Sequence, residues 1–275
     1  MRYAHKMSKT ITAIHERVDD IPAIIAHLKK MRVAELLDTH FLPNGNWQGL
    51  SLGKTTVIWL AFILSEGDHR LYRVEPWVQA RQRTLSRCLG SAVKPRDLTD
   101  DRLATTLDYL AVAERWGAFE CALNQSVLRV YDLQGRMVRI DTTTARAYVT
   151  PEGLFQLGHS KDHRPDLPQV KIALSVLDPL GLPLTTTVVA GQTADDPLYL
   201  PEIAKVRHTA QRSGLTYVGD CKMAALGTRA EIVAQQDARV GRGGGAVLVF
   251  EVIDDDGGQR RMGKERDVRV ATPVS

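Results

Sequence analysis

The chain is short of cysteine: Cys88, Cys121 and Cys221 are widely spaced, odd in number and without a C-x-x-C pair. That excludes a disulfide framework and a zinc knuckle and fits a reducing, cytoplasmic setting. Long apolar runs are missing too. The longest, Val57 to Leu64, falls far short of the roughly 20 residues that span a bilayer. The first residues carry no apolar segment of the signal-peptide kind, so neither export nor a membrane partner is expected. Internal repeats and low-complexity blocks are absent, which argues against fibrous and disordered classes. Charge of one sign is scarcely in excess, with 36 Lys and Arg against 32 Asp and Glu, a net of +4 and a pI near 9.0. Such a balance suits a phosphate-bearing partner without demanding one.

What is present is 275 residues, enough for one large domain or two ordinary ones with buried cores. From about Ile21 to Val130 apolar residues recur at three and four, as in Ile21, Ile24, Ile25 and Leu28 and again in Leu103, Leu107 and Leu110, which is helical spacing. Breaks at Pro43 to Asn46, Gly67-Asp68, Glu75-Pro76 and Lys94 to Asp97 divide the stretch into five or six helical segments. Residues 1–130 therefore read as an all-α first domain.

Near Tyr131 the pattern changes to short strand-like runs: Met137 to Ile140, Leu154 to Leu157, Val170 to Leu177 and Leu184 to Val189. A helical segment, Leu198 to Gln211, then precedes a strand-like Leu215 to Val218 and a second helical stretch, Ala224 to Gln235. A run of strands, a helix, a further strand and a helix is the order of a ribonuclease H-like core, so the fold class expected is α/β, with a mixed-sheet core over residues 131–239 behind the helical domain. After Arg239 the texture shifts again: seven of the 21 glycines lie beyond it. Residues 240–275 read as a divergent, Gly-rich and charged tail, within which Val247 to Ile253 has the pattern of a strand.

Two acids stand where strand-like runs stop. Asp141 directly follows Met137 to Ile140, and Asp220 follows Leu215 to Gly219. Carboxylates at the ends of neighbouring strands can share Mg²⁺ or Mn²⁺, because hard cations take oxygen ligands, and two such ions support in-line phosphoryl transfer. The plainer reading of either Asp alone is a turn residue or helix cap. Lys161, Arg164 and Lys222 lie close in sequence to these acids and are candidate DNA phosphate contacts, or else ordinary surface cations. His159 and His163 have a zinc-like i, i+4 spacing, but Gly158, Pro165 and Pro168 argue against the helix that this spacing needs. Gly49 to Thr55 imitates a phosphate loop and fails on spacing, with three residues rather than four between its glycines; a helix start before the apolar Thr56 to Leu64 is expected instead. Trp47, Trp59, Trp77 and Trp116 are read as core.

The stretches Val138 to Thr144, Gly158 to Gln169 and Tyr217 to Met223, in that order and with 79 residues separating the two acids (141 to 220), resemble the DDE-type transposases of bacterial insertion sequences. Gly45 to Ser51 and Leu64 to Arg70 are similar to the helical leader of one subgroup, so the resemblance runs from about Val18 to Ala238. It implies that Asp141 and Asp220 bind Mg²⁺ or Mn²⁺ and that the partners are the insertion-sequence ends and target DNA, together with a homo-oligomer or an intact transposase.

The family's third ligand is a Glu in a Tyr-x-x-Arg-x-x-x-Glu signature with a Lys beyond it. Here Arg261 and Glu265 match in part, while Gly258 and Ala271 replace the Tyr and the Lys. The expectation is a transposase that is truncated or frameshifted and inactive by itself. The alternatives are a non-catalytic DNA-binding or oligomerising fragment that regulates an intact transposase, and a nuclease completing its site with Asp162, Asp195 or Glu251.

Overall fold

A computed structural model describes residues 13–159, 164–212, 214–220, 223, 228, 231–232, 238–243 and 246–250. The chain divides into two compact units, Met1–Trp116 and Gly117–Ser275, a division that falls ahead of the change in hydrophobic pattern near Tyr131.

The first unit is helical. Its elements are α1 (Ile21–Lys30), α2 (Val33–His40), α3 (Leu52–Glu66), α4 (Val74–Ala80), α5 (Gln82–Leu89) and α6 (Asp100–Leu110), with α7 (Ala113–Val130) beginning at its end. The most apolar helix, α3, forms its centre, with Val57, Ile58, Ala61 and Phe62 buried. Its start is set by Ser51, whose hydroxyl accepts from the Lys54 N–H at 3.3 Å, which satisfies one of the free donors of the first turn. Its end is set by Gly67 in the left-handed region at φ 61°. Within the first turn a Cβ on Gly53 would stand 2.1 Å from the Ala34 carbonyl oxygen. Glycine at this position therefore lets α2 and α3 meet backbone to backbone, and the phosphate-loop-like sequence is a helix crossing. Trp59 and Trp77 are buried as expected, whereas Trp116 is 37% exposed.

The second unit is built on a six-stranded sheet in the order β3-β2-β1-β4-β5-β6. The strands are β1 (Met137–Arg146), β2 (Gln169–Leu177), β3 (Leu182–Ala190), β4 (Thr216–Asp220), β5 (Ala238–Gly243) and β6 (Ala246–Phe250), with α8 (Asp196–Ala210) crossing from β3 to β4. β1, β2 and β3 form an antiparallel meander, β4 is parallel to β1, β5 is parallel to β4, and β6 returns antiparallel. The order and directions of the first five strands are those of a ribonuclease H-like fold. β5 and β6 lie on the stretch whose glycines read as foreign to the core, and the sheet continues through it. The expected strand over Leu154 to Leu157 is absent; only the isolated bridges Glu152–Phe155 and Gln156–Gln169 form there. The helix expected over Ala224 to Gln235 lies mostly outside the described residues.

One face of the sheet is covered. Val138, Ile140, Leu177, Leu184, Leu215 and Tyr217 pack with Leu128 of α7 and with Tyr199, Ile203 and Val206 of α8. β1 alternates exposed and buried from Met137 to Thr143, the period-two signature of a strand with one covered face. The edge strand β3 is held by side chains of α7: Asn124 donates to the Leu184 carbonyl at 2.8 Å, and Glu120 accepts from the Thr186 N–H at 3.0 Å. These bonds occupy edge groups that would otherwise be open to another strand. Among the described residues no helix is long and apolar enough to cross a membrane.

Candidate functional site

Asp141 is not the residue after β1 but its fifth, because Thr142, Thr143 and Thr144 carry the strand on to Arg146. Three consecutive β-branched residues favour extended backbone, which outweighs the turn preference of a single Asp. Asp220 closes β4 as expected. The parallel ladder pairs Met137 with Thr216, Val138 with Tyr217 and Arg139 with Val218. Two residues further along each strand stand Asp141 and Asp220.

Asp141 lies on the face opposite α8. It is exposed, and its partner across β2 is Leu174, also exposed, whereas its neighbours Ile140 and Thr142 are buried. Asp220 has the same parity on β4 as Val218, the ladder partner of Arg139. On the covered side, Gly219 makes room for Met223: a Cβ there would lie 2.9 Å from the Met223 Sδ and 3.3 Å from the Ile140 carbonyl oxygen. β1 and β4 are therefore still adjacent one residue before the acids, and fully buried Met223 fills the space beneath. Sequence reasoning passed over Gly219 and Met223; the signal was a glycine directly before an acid that ends a strand.

The Asp141 carboxylate accepts from the Thr142 N–H at 2.7 Å. Arg139, two residues back on the same face, is bonded to Asp178 at 2.7 Å. The donor set at this rung is carboxylate oxygen, which fits a hard divalent cation. Among the described residues no three of His, Cys, Asp and Glu converge.

Of the candidate third acids, Asp195 is ruled out by its surroundings. It sits before α8, is only 5% exposed, and pairs with Lys171 Nζ at 2.6 Å. Lys171 shares the covered face of β2 with Ser175, which bonds Glu202 of α8, so Asp195 is on the wrong side of the sheet to join Asp141. Asp162 and Glu251 lie outside the described residues.

Of the expected phosphate contacts, Lys161 and Lys222 lie outside the described residues. Arg164 makes a bidentate pair with Asp166, at 2.8 and 2.7 Å, and that carboxylate holds the guanidinium pKa above its ordinary value. The pair is exposed, a setting in which such bonds are weak. Gln169, buried at the start of β2, donates its amide to the His159 carbonyl at 2.9 Å. His159 is outside any helix, and His163 is outside the described residues.

The two motifs of the helical unit serve as internal staples. Trp47 Nε1 donates to the Leu50 carbonyl at 2.8 Å, the Arg102 guanidinium lies 4.1 Å from the Trp47 ring centroid, and Arg102 donates to the Gln48 and Leu50 carbonyls. Glu66 accepts from Trp77 Nε1 at 2.7 Å and pairs with Arg81 at 3.2 Å.

Against known proteins, residues 13–120 match the family described as Domain of unknown function (DUF4277), a segment covering most of the helical unit. No curated protein matches the chain. Among solved structures, a piggyBac transposase synaptic complex with hairpin DNA is similar over 80% of this chain and 48% of that one, at 12% identity and a TM-score of 0.40. The chain thus spans about half the length of that transposase. A Mos1 transposase paired-end complex with left transposon end is similar over 82% of this chain and 78% of its own, at 10% identity and a TM-score of 0.28. The Mos1 mariner paired end complex with Mn gives 12% identity and 0.27 over the same shares. Strand order and direction, rather than these scores, define the fold.

Proposed function

We propose that the chain is a DDE-type transposase protein of a bacterial insertion sequence, acting on DNA at element ends through divalent ions held by Asp141 and Asp220. The observation that supports this reading is the strand register: each acid lies two residues beyond the Arg139–Val218 pair on adjacent parallel strands. Neighbouring strands run about 4.8 Å apart, and two carboxylates at that spacing repel unless a cation lies between them. Asp141 and Asp220 would hold Mg²⁺ or Mn²⁺, which would supply charge neutralisation at a phosphodiester and activation of an attacking oxygen. The chain's own residues prepare the place. The Thr142 N–H orients the Asp141 carboxylate, and the Gly219–Met223 contact keeps β4 against β1. Lys161, Arg164 and Lys222 are assigned to DNA phosphates in this reading.

A second reading, a non-catalytic DNA-binding fragment that regulates an intact transposase, is favoured by one observation: Asp195, the described candidate for a third acid, is consumed by Lys171 on the covered face. Incubating the purified chain with labelled duplexes from the DNA flanking its gene, in Mg²⁺ or Mn²⁺, separates the two. Metal-dependent nicking or joining that disappears in Asp141→Asn and in Asp220→Asn supports the enzyme. Binding of the duplexes without cleavage, unchanged by either substitution, supports the regulator.

A further inference from the structure

The family matched by the helical unit is described as having no known function, and one face of that unit is built to hold a polyanion. α5 is strongly sided: Leu85 and Leu89 are buried, while Arg83 and Arg87, one turn apart, are exposed. The helix rises about 1.5 Å per residue, so the two guanidinium stems stand about 6 Å apart along it.

The loop after α5 is folded back onto the helix. Ser91 N–H donates to the Ser86 carbonyl at 3.2 Å, Val93 N–H to the Ser86 hydroxyl at 3.0 Å, and the Gln82 amide to the Val93 carbonyl at 2.8 Å. A groove of about 620 Å³ results, with Arg83 and Arg87 on one wall and Ser91 and Ala92 on the other. Lys54, from the first turn of α3, reaches Ser91 Oγ at 2.5 Å, and Lys29, from α1, donates to the Cys88 carbonyl at 3.0 Å. Two helices, α1 and α3, thus deliver lysines to α5 and its loop.

Those cations are not spent on carboxylates. Among the described residues Lys29, Lys54 and Arg87 form no ion pair. One carboxylate stands at the N-terminal end of the groove: Glu16 accepts from the Arg83 and Thr84 N–H groups. A groove floored by a fixed loop, lined by two arginines and edged by lysines, and without an aromatic or apolar pocket for a base, fits the phosphate backbone of duplex DNA and reads no sequence.

We infer that the α5 groove, through Lys54, Arg83 and Arg87, is a DNA-backbone-binding site of the helical unit, separate from the acids of β1 and β4. Fluorescence anisotropy of the full-length chain on a labelled duplex of arbitrary sequence, read across a salt series, tests it. Arg87→Gln combined with Lys54→Gln is expected to weaken binding about tenfold at low salt and to reduce the salt slope by about 1 to 2, alike for different sequences. Arg32→Gln, which removes a cation already paired with Glu35, is expected to leave both readings unchanged. Circular dichroism confirms that the double variant is folded. An unchanged slope in the folded double variant overturns the inference. An equal loss of affinity for polyglutamate in the same assay overturns the assignment to DNA. Failure of metal-dependent nicking with this binding intact would count against the catalytic reading alone.

Discussion

Asp141 on β1 and Asp220 on β4 each stand two residues beyond the Arg139–Val218 pair of two adjacent parallel strands. Adjacent parallel strands keep equivalent positions on a common face, and the offset from Asp141 to Asp220 equals the register offset from Met137 to Thr216. A slip of one residue would move one of them to the covered face.

The Gly219–Met223 contact is tight enough to test by substitution. Gly219→Ala brings a Cβ to 2.9 Å from Met223 Sδ, and a flexible thioether can move, so a loss of about 1 kcal/mol is expected. Gly219→Val adds branches against the Ile140 carbonyl and is expected to cost about 1 to 3 kcal/mol. Met223→Ala in the Val background should recover part of that loss. Urea unfolding of the wild-type chain, Gly219→Val, Met223→Ala and the double variant measures the coupling, and additive effects would show that Gly219 and Met223 do not share the space.

The Lys171–Asp195 pair, 8% and 4% exposed at its side chains, tethers the segment between β3 and α8. Asp195→Ala leaves a buried ammonium uncompensated and is expected to lower stability by about 3 to 5 kcal/mol. Replacing both partners, Lys171→Met with Asp195→Leu, is expected to be much less damaging, because neither charge then remains to be desolvated. Thermal or urea unfolding decides; equal damage from the single and double replacements would mean that the site matters for packing and not for charge.

Much of this was legible before any coordinates, and the failures have physical causes. Helical spacing from Ile21 onward and the switch near Tyr131 gave the two kinds of structure, because burial of one face imposes a period. β1 was read too short since Asp is a turn former in isolation, and pairing to both β2 and β4 overrides that preference. Leu154 to Leu157 looked like a strand by composition, yet it forms only the isolated bridges Glu152–Phe155 and Gln156–Gln169. Asp195 was a fair candidate ligand on residue type alone. What removes it is the covered face on which Lys171 waits, a fact of the fold that spacing does not encode.

Glu120 gives the edge of the sheet a pH dependence. Burial is the largest influence on its carboxyl and raises its pKa above the ordinary glutamate value, against the opposing Thr186 N–H bond. A carboxyl raised in the folded state contributes stability below its unfolded pKa and loses it as pH climbs through the folded value. The wild-type chain is therefore expected to lose stability relative to Glu120→Gln as pH rises from about 4.3, the usual glutamate pKa, towards neutrality. Unfolding free energies of both chains across that window test the sign, and a difference that does not vary with pH would contradict it.

The pairing of Asp141 with Asp220 around a cation is most directly tested by Mn²⁺ binding, followed through the free-ion electron paramagnetic resonance signal during titration of the full-length chain. Loss of even an outer partner of a metal site commonly costs about 10- to 100-fold in affinity. Asp141→Asn and Asp220→Asn are each expected to weaken binding by at least that order, and the double variant should be little worse than either alone. Mn²⁺ affinity that is the same in the wild-type chain and the folded double variant would contradict a shared site.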